Sequence, residues 1–169
     1  DMIIKQPIKL IGKRGVYRSS IGSNKLSSHF LSITGNNDTI SYYAFLNYKT
    51  GDGFRPNSDF ESINLYSYLE YNFSKLTKLS FEITYFDYLA KQAGGLTDQM
   101  FIEDPFQSNR NRNWFKVNWL LYNIKFLYKI KKENRITLSL FGLDAHRYAL
   151  GFRDNRVDQV DPLNERDLI

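Results

Sequence analysis

From residue 62 to residue 73 the chain alternates. Ile63, Leu65, Leu69, Tyr71 and Phe73 fall on one parity with Ser67, while Asn64, Tyr66, Tyr68, Glu70 and Asn72 fall on the other. Successive side chains of a strand point to opposite faces, so the pattern predicts a strand with an apolar face and a polar face that carries tyrosines. The next stretch repeats it. Leu79, Phe81, Ile83, Tyr85 and Leu89 share one side, broken by Asp87, and Lys78, Ser80, Glu82, Thr84 and Tyr88 share the other. Residues 39–49 place Ile40, Tyr42, Ala44, Leu46 and Tyr48 on one face, blurred by Tyr43 and Phe45. Residues 114–129 begin with Phe115, Val117, Trp119 and Leu121 on one parity and continue with Tyr122, Ile124, Phe126 and Tyr128 on the other. That shift predicts a bulge near Leu121. Ile136, Leu138 and Leu140 mark a further strand, and residues 13–20 and 26–34 are weaker candidates. No stretch has a good 3.6-residue period, so no helix is expected.

Several of these seven expected strands exceed ten residues, whereas globular strands average about five or six. Long strands with one apolar face need either a large partner sheet or lipid. The connectors bear on that choice. Every second turn is short (GNND, SKLT, IKKEN), and these alternate with longer connectors, the longest at 91–113. In an up-and-down meander every second turn lies at the same end, so one end is trimmed and the other elaborate. Membrane barrels show this asymmetry. The expected fold class is therefore all-β, with antiparallel up-and-down strands forming about seven strands of a larger transmembrane β-barrel.

Composition narrows the function. Among 169 residues, aromatic residues make up 16% and there are only four prolines, far from a disordered composition. The net charge of +5 is dispersed apart from Lys129, Lys131 and Lys132, which argues against a nucleic-acid stripe. There is no cysteine, hence no disulfide and no thiolate metal site. No apolar run approaches the ~20 residues of a spanning helix. A mean hydropathy of −0.46 suggests a soluble chain, but alternating membrane strands average to low hydropathy as well. No nucleophile, metal or phosphate motif appears, so neither an enzyme nor a cofactor is expected. His29 and His146 are isolated, and Glu70 and Glu82 are placed to be neighbours on the polar side of adjacent strands. The sequence starts at DMIIKQP without a leader and stops in the polar PLNERDLI, so a longer parent protein is expected.

Four stretches resemble TonB-dependent outer-membrane receptors, specifically the ferric dicitrate branch. They are DMIIKQP (1–7), NYKTGDGFRPNSDF (47–60), the GGLT, DP, QSNR and RNWFKV pieces within 92–117, and FGLDAHRYALGF (141–152). The resemblance implies that residues 1–7 end a plug domain and exit into the barrel, and that residues 8–169 are the N-terminal part of a barrel of about 22 strands. It also implies a ferric chelate such as iron citrate as substrate, TonB as the energising partner through a missing N-terminal region, and contact with outer-membrane lipid. The short turns would then be periplasmic and residues 92–113 extracellular.

In that long loop, Gln107, Asn109, Arg110 and Arg112 cluster before a strand. Two guanidinium groups with amides suit a carboxylate-rich anion, because they form charge-assisted, forked hydrogen bonds. Arg147 and Arg153, near the end of the last strand, are weaker candidates for the same role. The competing expectation is that these groups pack the loop against its neighbours, with Asp98, Glu103 and Asp104 as partners for Arg110 and Arg112. Tyrosines with Trp114 and Trp119 suit interfacial girdles. The alternative function is a soluble all-β carbohydrate-binding module, which must cover Ile63, Leu65, Leu69, Phe81 and Ile83 with another sheet.

Overall fold

A computed structural model describes residues 12–131 and 134–151. The described strands are β1 Gly12–Ile21, β2 Ser27–Asn36, β3 Ile40–Gly51, β4 Phe60–Asn72, β5 Thr77–Lys91, β6 Trp114–Lys129 and β7 Arg135–Leu150. Each pairs antiparallel with its neighbours in sequence, in one sheet of order β1 to β7. The strands lengthen from 10 to 16 residues along the chain. At ~3.4 Å per residue, the longest exceed 50 Å. The expected plug exit at 1–7 lies outside the described residues.

The two faces differ as the alternation requires. One carries Leu31, Leu46, Leu65, Leu69, Phe81, Ile124, Leu138 and Leu140, all exposed, from 36% at Leu65 to 65% at Leu140. Among the described residues no second sheet covers it. The other face holds what core there is. Tyr66 is 4% exposed and Ser32 8%. Phe30, Phe45 and Tyr66 form a row of rings with centroids 5.7 Å apart, and Phe86 meets Trp119 at 5.4 Å. Below them Tyr66 donates to Glu82 at 2.9 Å, Tyr68 donates to Glu70 at 3.0 Å, and Lys78 pairs with Glu70 at 2.8 Å. Glu70 and Glu82 are diagonal neighbours, since Glu70 stands opposite Ser80 and Glu82 opposite Tyr68, and each carboxylate has its own partner.

The bulge expected near Leu121 is absent. The β5–β6 and β6–β7 ladders run unbroken from Thr77↔Tyr128 to Lys91↔Trp114 and from Trp114↔Leu150 to Lys129↔Arg135. The parity shift has a different cause. Beyond Leu120 the apolar face of β6 turns polar, with Asn118 donating to Asp87 at 2.8 Å and Lys116 3.8 Å from the same carboxylate. Val117, Trp119 and Leu121 meanwhile lie on the opposite face, where Trp119 meets Phe86. Hydrophobicity changes face midway while the backbone stays regular.

The apolar band also slants. On β2 its last member, counted toward the short turns, is Ile33, which is connected across the sheet through Ala44, Ser67, Ile83 and Tyr122 to Gly142 of β7. On β7 the apolar positions are Leu140, Leu138 and Ile136, the last of them six residues from Gly142, and on β3 Ile40 already stands four residues from Ala44. The apolar positions of β7 thus stand displaced along the strand from those of β2, the sense of displacement that tilted strands require.

Candidate functional site

Consecutive antiparallel pairing gathers the loops L1 (22–26), L2 (52–59) and L3 (92–113) at one end of the sheet. At the other end, among the described residues, stand the turns 37–39 and 73–76 and the connection that the Ile130 amide and the Asn134 carbonyl close. L1 is a tight turn with Asn24 and Lys25 left-handed. It joins L2 through Lys25–Asp52 at 2.7 Å and the Asp52 amide to the Asn24 carbonyl at 2.8 Å.

L3 is closed at its base by the Gln92 amide on the Asn113 carbonyl at 3.0 Å. It contains a helix that the sequence did not lead us to expect, α1 Asp98–Glu103. At six residues α1 is too short to show a period. Its signal is Thr97, whose hydroxyl accepts from the Met100 amide at 3.2 Å as an N-cap, with Asp98 in the first turn. The Asp104-Pro105 turn follows, with the Phe106 amide on the Asp104 carboxylate at 2.8 Å.

The sequence-nominated residues divide between building this loop and facing away from it. Gln107 donates to the carbonyls of Met100 at 2.6 Å and Asp104 at 3.1 Å, closing off α1. Asn109 is 1% exposed, takes the Ala93 carbonyl with its backbone amide at 3.2 Å, and donates from its side chain to the Gly95 carbonyl at 2.8 Å. Ser108 also donates to the Ala93 carbonyl, at 3.1 Å. Arg110 is 6% exposed and donates to the Asn109 carbonyl at 2.8 Å. Arg112 is half-buried in the limb that leads to β6. Arg147 is exposed on the aromatic face of β7, its guanidinium 4.8 Å from the Phe115 ring centroid. Arg153 lies outside the described residues. L3 thus brings Gln107, Asn109, Arg110 and Arg112 together, and Arg147 stands on the neighbouring strand opposite Val117.

Two residues of L2 were missed. Asn57, left-handed at φ 55°, donates from one side-chain amide to the carbonyls of Gln92 at 3.1 Å, Arg110 at 2.8 Å and Asn113 at 3.0 Å. Arg55 donates through Nη2 to the Gly94 carbonyl. The available signal was Pro56-Asn57, a turn dipeptide whose asparagine tolerates positive φ. Its target, more than thirty residues away, carries no sequence signal. The isolated histidines have local partners. His29 meets Tyr17 at 2.9 Å, Ser19 at 3.2 Å and Ser27 at 2.9 Å, and His146 lies 3.6 Å from Asp144.

No family model and no curated protein matches the sequence. Among solved structures, the chain is similar to the ferric citrate transporter FecA in its unliganded form. The TM-score is 0.71 at 17% identity, over 86% of this chain and 24% of that one. The chain thus spans about a quarter of that transporter's length. What the likeness shows is the fold: an all-β, antiparallel up-and-down sheet like the matching quarter of that transporter.

Proposed function

We propose that this chain supplies barrel wall and extracellular loops to an outer-membrane active-transport receptor that takes up a ferric chelate, ferric citrate first among them, with energy delivered through TonB. The carrying observation is the apolar band, bare on one face of a single sheet while the other face is polar and aromatic. Lipid is the partner that such a face accommodates without a second protein layer. L1, L2 and L3 then stand outside the cell and the short turns in the periplasm. Within L3, Gln107, Asn109 and Arg110 hold the backbone, the guanidinium groups of Arg112 and Arg147 are assigned to the chelate, and Arg153 is assigned with them on its sequence position alone. The chelate is an anion rich in carboxylates, for which guanidinium forks are matched donors.

The test is equilibrium binding of labelled ferric citrate to outer membranes that carry the native gene product. Saturable binding is expected, weakened about tenfold or more in the double variant Arg112→Ala, Arg147→Ala, the loss typical of charge-assisted contacts. Absence of saturable binding by the unaltered protein, or a double variant that binds as tightly, would overturn the proposal.

A further inference from the structure

The β4–β5 ladder ends at the Lys91 amide on the Asp59 carbonyl, 2.9 Å. Past that point, L2 reaches L3 with the side chains of Asn57 and Arg55. The carbonyls that Asn57 takes belong to both limbs of L3, Gln92 on the ascending one and Arg110 and Asn113 on the descending one. A single amide group with two hydrogens is shared among three acceptors, so it sits where the limbs converge. Few residue types other than asparagine combine a donor of that reach with a relaxed left-handed backbone. L3 has little apolar burial to hold it by other means. Phe101 is 59% exposed, Ile102 76% and Phe106 62%. A segment whose shape rests on hydrogen bonds more than on burial opens locally when those bonds are removed.

We infer that Asn57 is a positioning residue that mounts L3 on L2, so that the two loops behave as one body and the arginine-bearing limb keeps a fixed pose. Arg55 braces the same joint at Gly94. For its effect on affinity, though not for the mount itself, the inference rests on the ferric-chelate function proposed above.

The experiment measures amide hydrogen exchange over residues 92–113 in the native gene product in outer-membrane vesicles, beside ferric citrate affinity. Asn57→Gly keeps the left-handed backbone and removes the donor. Asn57→Asp keeps the shape and sets an anion against the same carbonyls. Both are expected to speed exchange in 92–113 by about ten- to hundredfold, the equivalent of one to two net hydrogen bonds, with β4 and β5 unchanged and ferric citrate affinity lowered about tenfold. Arg147→Ala, outside L3 on β7, is expected to lower affinity with exchange in 92–113 unaltered. Unchanged exchange in Asn57→Gly, or an equal rise throughout β4 and β5, would overturn the mount. Faster exchange in L3 with undiminished affinity would overturn the positioning role. If the unaltered protein binds no ferric citrate, the functional proposal fails on its own, and exchange alone decides the mount.

Discussion

Gly94 shows how closely the loop is fitted. Its φ is +80°, which only glycine adopts without strain, and a Cβ there would run into the Asn109 side chain and come within 2.7 Å of Arg110 Cγ. Gly94→Ala is therefore expected to lower the local stability of L3 by about 1–3 kcal/mol, read as faster exchange at the Asn109 amide while the strands keep their protection. Equal protection in the variant would show that the joint between Gly94 and Asn109 is looser than its geometry implies. At this scale the sequence was partly legible. The types Gln107, Asn109, Arg110 and Arg112 were picked out as a cluster, and they are one in space. What the sequence withheld was the use of each group. An asparagine that binds a loop carbonyl and one that faces a ligand are the same letter, and burial is decided by residues far away in the chain. Asn57 was hidden for the same reason, since its three acceptors lie 35, 53 and 56 residues on.

The strands were the most legible elements, because a period of two needs only local sequence. All seven were anticipated, including β1 and β2, where the alternation is weak. The two misreadings share a cause. A short helix and a strand whose hydrophobic face changes midway both break periodicity without breaking the backbone, and the second was mistaken for a bulge. On β6 the change marks the edge of the apolar band, and this has a measurable consequence. Phe81 lies within the band, whereas Thr84 on the same strand lies on the opposite face. Phe81→Lys is expected to destabilise the folded protein in bilayers by about 2–4 kcal/mol, the cost of a lysine near the midplane of a lipid-facing strand. Thr84→Lys is expected to cost well under half as much. Equilibrium unfolding from lipid vesicles compares them, and equal costs would contradict the assignment of faces.

For the whole molecule, the choice lay between lipid and a partner sheet. Every described strand belongs to one sheet, so the soluble-module alternative lacks the layer it requires among the described residues. The displacement of the apolar positions from β2 to β7 adds a second argument that no single strand could supply. It appears only when registers are known across the sheet, and for that reason it was not legible in the sequence. The likeness to the ferric citrate transporter agrees with it at the level of fold.

The central claim is that the apolar band faces lipid, and the absence of cysteine in this stretch makes it directly testable. Single cysteines along β5, from Phe81 to Phe86, would be spin-labelled in the native gene product in outer-membrane vesicles, and their collisions with oxygen and with an aqueous nickel chelate compared. The account predicts high oxygen and low nickel accessibility at Phe81, Ile83 and Tyr85, with oxygen accessibility falling at Glu82, Thr84 and Phe86. A β5 without this alternation, or with nickel reaching Phe81 and Ile83 as freely as oxygen does, would contradict it.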